Sequence, residues 1–280
     1  MNRQEILKQY EAGERDFCDL ELSEIDLSFT TLKGVDFTGT ILSKSNFKNS
    51  DLSNSNLSST NLENADLEST NFSRGDLSMA ELMEANLSNA IFNLAFFTGA
   101  DLMEAYCLNS QFVGAELIGV NFASATLIGA SLMGANLAGS DLSGANFSRT
   151  YLYSANLSDV VLDGINLQGA LYNPQTLFPE NFDAIAAGAC PIAPRVNLSG
   201  KNLSGIELPS ANLAEADLTD TNLKRSRLTL ANLSGADLSG ADLSEADLSG
   251  ADLSGAKIEG ANLEGTKLSG AILPDETVSC

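Results

Sequence analysis

The sequence predicts an all-β solenoid, a parallel β-helix, and three observations carry that prediction. Leu or Phe recurs every five residues from Phe17 to Leu167 without loss of register, with Cys107 the one substitution. A small or β-branched residue stands two places before each of them, as at Ala65, Ala80, Ala85, Ala135, Ala145 and Ala155, and Asp or Asn stands just before most. Ser and Gly fill the other two places, giving the consensus A-(D/N)-L-S-G. A period of five is neither the 3.6 of a helix nor the 2 of a strand, and a helix would scatter these leucines around its whole circumference.

With the central residue called i, inward-pointing side chains at i and i−2 force the residue between them outward. The remaining two turn a corner, which Ser and Gly suit. Each pentapeptide is then one side of a coil, and stacked coils pair their backbones while burying a continuous apolar column. Phe72, Phe92 and Phe112 lie twenty residues apart, and Glu207, Arg227, Asp247 and Lys267 alternate in sign at the same spacing. Both patterns favour four sides, although the period alone leaves the number open.

The run of A-(D/N)-L-x-x units over most of the chain resembles the pentapeptide-repeat family. That resemblance implies a right-handed quadrilateral parallel β-helix. Cyanobacterial members also resemble the chain in its E-x-L-x-x-Y-x-A-G-x-R-x-F opening, its N-P-x-T-x-F-P-x-x-F-D interruption and its G-A-I-L-P-D ending, which points to a cyanobacterial source.

In chain order, residues 1–14 are expected to form a short N-terminal capping helix, with Ile6, Leu7 and Tyr10 on one face and Gly13 as its stop. An uncovered β-helix end would offer unpaired edges to other chains, so a lid is expected there. Residues 15–172 form a first β-helix, with Phe72, Phe92, Cys107, Phe112 and Leu142 in its core. Residues 173–196 are a Pro-rich excursion or linker, with a short helix expected around Asn181 to Ala189. The repeat resumes at Leu198 one residue out of frame, so 197–273 form a second β-helix and 274–280 a tail.

Composition narrows function. The chain of 280 residues has 37 Asp+Glu against 15 Lys+Arg and no His, for a net charge of −22. Such a field repels phosphate, which argues against direct binding to nucleic acid or anionic membranes and favours a cationic protein surface. Cys18, Cys107, Cys190 and Cys280 lie far apart and read as free thiols, with no zinc spacing. No leader or membrane-spanning run is evident, so a cytoplasmic setting is expected. The N-L-S sequons are the repeat unit itself. No phosphate-binding motif occurs, and no cofactor or metal is expected. Asp237, Asp242, Asp247 and Asp252, at i−1 of successive repeats, would point four ways on a four-sided coil and read as a solvated acidic collar.

Outward positions should be polar, so the exceptions between residues 83 and 153 mark a candidate apolar patch. Met83, Ile91, Phe96, Met103, Tyr106, Val113, Ile128, Met133 and Tyr153 compose it, either bound by a partner or covered by the 172–196 segment. The expected function is a non-catalytic protein–protein interaction scaffold, monomeric or weakly dimeric, in a regulatory setting such as cyanobacterial cell differentiation. The alternative is an acidic DNA mimic that binds a DNA-binding enzyme such as gyrase. The resemblance sets against it that such relatives dimerise through a C-terminal helix, whereas about seven residues follow Leu273.

Overall fold

The structure is a computed structural model that describes residues 1–275 and 277–279. It forms two compact units, Met1–Cys190 and Pro191–Cys280. In both, residues twenty apart pair in parallel, from Asp16 with Asp36 onward in the first and from Asn197 with Asp217 onward in the second. Four pentapeptides therefore complete one coil. The four faces of the first unit are numbered here by the central residues that open them, Phe17, Leu22, Leu27 and Leu32.

The hydrogen bonding explains why five residues suffice for a face. The central N–H donates to the coil above, as Phe17 N to Asp36 O at 2.8 Å, and the outward residue's N–H donates to the coil below, as Asp36 N to Arg15 O at 2.7 Å. The corner closes with the N–H of i+3 donating to the carbonyl of i, as Thr40 N to Phe37 O at 2.9 Å. Position i+2 takes the left-handed conformation, with φ +65° at Gly39 and +57° at Asn49. That requirement explains the Gly, Asn and Ser found there.

Two polar positions are structural as well. At several i−2 positions a Thr or Ser hydroxyl caps the central carbonyl one coil below, as Thr40 Oγ1 donates to Phe17 O at 2.6 Å and Ser140 Oγ to Leu117 O at 2.7 Å, while Thr150 and Ser226 cap the carbonyl three residues before them. The Asp or Asn at i−1 accepts the N–H of i+1, as Asp51 Oδ1 from Ser53 N at 3.0 Å and Asn156 Oδ1 from Ser158 N at 3.0 Å. Its consensus identity thus follows from local bonding, not solubility alone.

Helix α1 (Arg3–Glu11) starts with a capping box between Asn2 and Glu5. It buries Ile6 in the column, and Leu7 and Tyr10 pack beside it. The first coil leaves carbonyls with no coil below, and α1 occupies several of them. Arg3 donates to Asp26 O and Ser28 O at 2.8 Å each, and the Tyr10 hydroxyl donates to Lys33 O at 3.0 Å. Arg15 lies over the Tyr10 ring at 3.7 Å.

Phe72, Phe92 and Phe112 stack along face four, with centroids 5.3 and 5.0 Å apart and planes within 6° and 14°. Cys107 and Leu142 are fully buried in the same column. The ladder runs past residue 172, where the sequence pattern ends. Leu177 pairs with Asn156, one residue beyond the twenty-residue spacing, because the turn Asn173–Thr176 absorbs an extra residue. Thr176 keeps the capping role there, donating to Leu152 O at 2.7 Å.

The helix expected around Asn181 to Ala189 is absent; the segment is a series of turns. Asp183 accepts Ala186 N at 2.9 Å and Ala187 N reaches Asp183 O, so one helical turn forms, and Gly188 in the left-handed region ends it. The segment packs Phe178, Phe182, Ala184 and Ala189 against the core of the first unit. Strand β1 (Leu171–Tyr172) pairs with β2 (Cys190–Pro191), Cys190 N donating to Ala170 O at 2.7 Å.

In the second unit the outward columns carry ion pairs between coils: Asp237 with Lys257 at 3.0 Å, Arg227 with Glu207 at 3.3 Å and Lys267 with Asp247 at 3.8 Å. The hydroxyl of Ser239, the Lys257 ammonium and the Ser239 N–H together hold Asp237 down at about 2. The Ser249 hydroxyl and N–H likewise lower Asp247, and those of Ser143 lower Asp141. A depressed carboxylate contributes stability above its unfolded value, near 4, that is lost as pH falls through its folded value. Melting temperature should therefore drop between about pH 4 and pH 2. Repulsion among the 15 Lys+Arg grows over the same range, because the chain is near neutral at its pI of about 4.1, so added salt, which screens that repulsion, separates it from the carboxylate contribution. Circular-dichroism melts across that range check it; equal melting at both ends would show that these hydrogen bonds contribute nothing net.

Candidate protein-binding surface

The local bonding rule gives the outward apolar residues a meaning. Phe96, Tyr106 and Ile91 occupy i−1, where Asp or Asn would accept the N–H of residues 98, 108 and 93. Their side chains offer no such acceptor, apart from the remote Tyr hydroxyl, so each place forgoes a bond worth about 1 kcal/mol. Phe96 and Tyr106 are 48% and 51% exposed. Leaving a large ring in water at the cost of a local bond does nothing for folding.

The structure adds residues that the sequence pattern did not single out. Leu94, 50% exposed, and Met79, 62% exposed, occupy i+2 with φ +60°. A bulky residue in the left-handed region is strained by about 1–3 kcal/mol. The signal was available in the sequence as a large apolar residue where the repeat places Gly, Asn or Ser. Phe29 and Leu230 share the conformation elsewhere, at φ +56° and +60°. Each leans on the coil above: a Cβ on Gly114 would come within 2.9 Å of Leu94 Cδ2, and one on Gly99 within 2.6 Å of Met79 Sδ.

The nine patch residues do not share one face. Met83 and Met103 stand on face two, half-buried; Tyr106 and Ile128 on face three; Ile91, Val113, Met133 and Tyr153 on face four; Phe96 on face one. The expectation of one contiguous patch over all nine is therefore corrected, because twenty-residue stacking aligns columns but a run of consecutive repeats circles the coil. Tyr153 is a second correction. Its hydroxyl is buried with no hydrogen-bond partner in the structure, and burial pushes its acidity far down, with Tyr151 and Cys190 nearby adding to the effect. The side chain is half-buried, and its hydroxyl does not reach the surface. The exposed set that remains together lies where faces four and one meet: Leu94 and Phe96 in one coil, with Val113 and Ile118, 36% and 40% exposed, in the next.

Two of the thiols, Cys18 and Cys107, are poor nucleophiles. Burial raises Cys107 strongly and lifts Cys18 to about 12, which disfavours the reactive thiolate. Cys18, Cys107 and Cys190 are free; Cys280 lies outside the described residues. Asp237, Asp242, Asp247 and Asp252 stand in four different ladders, paired with Lys257, Asn262, Lys267 and Ile272. Among the described residues no helix is long and apolar enough to cross a membrane.

The signature described as pentapeptide repeats matches residues 21–169, 195–229 and 231–270. The chain is a pentapeptide-repeat protein. Its fold is the right-handed quadrilateral β-helix of that family, with an N-terminal capping helix. The chain is similar to HetL, a pentapeptide-repeat protein involved in heterocyst differentiation regulation from the cyanobacterium Nostoc sp. strain PCC 7120, with 30% identity, all of both chains covered and a TM-score of 0.27. It is similar to QnrB1, a plasmid-mediated fluoroquinolone resistance protein, at 18% identity over 63% of this chain and 91% of that one, with a TM-score of 0.38. A pentapeptide-repeat protein of the Arabidopsis thaliana thylakoid lumen is 30% identical over 38% of this chain and 67% of its own, with a TM-score of 0.23. None of the curated proteins compared with it matches.

Proposed function

We propose that this pentapeptide-repeat protein is a non-catalytic scaffold that binds another protein through the junction of faces four and one in its first unit. One observation carries the reading: at Phe96 the chain gives up a structural hydrogen bond for an exposed aromatic ring, and at Leu94 it accepts backbone strain for an exposed aliphatic one. Large rigid side chains of this kind dominate binding energy in interfaces. The regulatory setting suggested by the cyanobacterial sequence resemblance is where a partner is first to be sought. The DNA-mimic alternative is weakened by the ion pairs on the second unit's columns, which engage two of the collar's four carboxylates, Asp237 and Asp247.

Affinity capture of the tagged chain from its native extract, comparing wild type with Phe96→Asp at the junction and Tyr106→Asp on face three, tests the reading. Each Asp regains the i+1 bond, about 1 kcal/mol, while Asp at 96 would stack between Asp76 and Glu116 at a cost of about 0.2–1 kcal/mol. Tyr106 has the neutral neighbours Asn86 and Thr126. Each variant should thus melt within a few degrees of wild type, or slightly higher. Capture of specific partners should fall at least about tenfold for Phe96→Asp, since one lost anchor costs about 2 kcal/mol, and stay near wild type for Tyr106→Asp. Undiminished capture by Phe96→Asp would place the binding face elsewhere.

A further inference from the structure

The charges around this face specify what fits it. From Gly75 to Val120 the chain has six carboxylates, Asp76 and Glu116 on face one and Glu81, Glu84, Asp101 and Glu104 on the adjacent face two, and no Lys or Arg; the nearest cations in the sequence are Arg74, at the corner one coil below Leu94, and Arg149. Elsewhere carboxylates in the columns meet cations, as Asp51 meets Lys33 at 3.0 Å and Glu245 meets Arg225 at 2.8 Å. Around the apolar cluster their side-chain partners are neutral amides. Asn61 donates to Glu81 at 2.9 Å, Asn121 to Asp101 at 2.9 Å and Asn136 to Glu116 at 3.0 Å. The exposed Phe96 ring stands in its ladder between Asp76 and Glu116, so a carboxylate lies one coil away, about 4.8 Å, on either side.

The geometry adds a second restriction. Successive coils rise by about 4.8 Å, close to the roughly 5.4 Å pitch of an α-helix. A helix laid along the unit's axis therefore sets one turn against each coil over a short span. Its apolar stripe would meet Leu94, Phe96, Val113 and Ile118, and cations flanking the stripe would meet Asp76 and Glu116. Nucleic acid and anionic lipid fail on the same charges.

We infer that the element docking here is a cationic amphipathic helix, with leucine-like side chains on one face and Lys or Arg beside them. The inference rests on the reading of this face as a protein-binding surface and narrows it to one chemistry.

The test uses the full chain and three labelled synthetic peptides of about five helical turns, followed by fluorescence anisotropy. The first is a Leu/Lys helix with a leucine stripe, the second has the same composition scrambled to remove the stripe, and the third is a Leu/Glu helix with the stripe kept. The striped Leu/Lys peptide should bind at least about tenfold more tightly than either control, and more weakly as salt rises. Phe96→Asn, which restores the local bond without adding charge, and Leu94→Asn, which suits the left-handed corner, should each weaken it about tenfold. Phe96→Asp should do the same despite making the face more acidic, whereas charge adhesion alone would strengthen. Melts of each variant verify that it is folded. Equal binding of the scrambled peptide, equal binding of the Leu/Glu peptide, or undiminished binding by Phe96→Asp overturns the inference. If that happens while partner capture still depends on Phe96, the surface binds protein of another chemistry; if capture is independent of it, the reading of the surface falls as well.

Discussion

Leu142→Lys is expected to unfold the coils around it, while Ser143→Lys leaves the melting temperature nearly unchanged. Leu142 is fully buried, and its N–H donates to Val161 O at 2.9 Å. A lysine there must either bury an unpaired charge, costing several kcal/mol, or drag the face outward and break that ladder. In a solenoid each coil is supported only by its neighbours, so the damage spreads along the column. Ser143 points outward, and its backbone N–H keeps its bond to Asp141 at 2.9 Å whatever the side chain. Thermal melts of the two single variants compare adjacent residues with opposite facing. Equal melting temperatures would contradict the inward and outward assignment of the repeat.

Phe92→Ala should be the most costly truncation in the first unit. Its ring lies 5.3 Å from Phe72, 5.0 Å from Phe112 and 5.1 Å from Phe97, so removing it opens a cavity and breaks three ring contacts. The expected loss is about 3–5 kcal/mol, measured by denaturant unfolding. Phe92→Leu restores the consensus residue and should cost under about 1.5 kcal/mol. A loss for Phe92→Ala no larger than for Phe92→Leu would show that the three stacked rings act as filler, not as a packed column.

The inward column was legible because a burial pattern repeated so often has one geometric solution, and Phe72, Phe92 and Phe112 gave its pitch directly. The partners of polar residues were not legible. Alternation gives the direction in which Asp51 points, but not that its carboxylate folds back to accept Ser53 N. Tyr153 obeys the same alternation and its hydroxyl is still buried, since the turns that return the chain to Cys190 follow no period. The candidate surface was legible in part: Phe96 and Val113 break the polar rule visibly. Leu94 and Met79 escaped notice because the corner was treated as a place for glycine, so a leucine there was not weighed as an exception.

The pairing of a leaning corner side chain with a glycine in the coil above also constrains how this molecule can lengthen. Leu94 needs Gly114 above it, Met79 needs Gly99, and Asn109 needs Gly129. Duplicating one pentapeptide would rotate every later residue a quarter turn about the axis. Each bump would then meet the wrong corner, Phe112 would leave the ring stack, and Glu116 would part from Phe96. A duplication of four pentapeptides keeps the phase, so gene-level growth of such a solenoid is tolerated in whole turns, and any outward surface is inherited or lost one complete turn at a time.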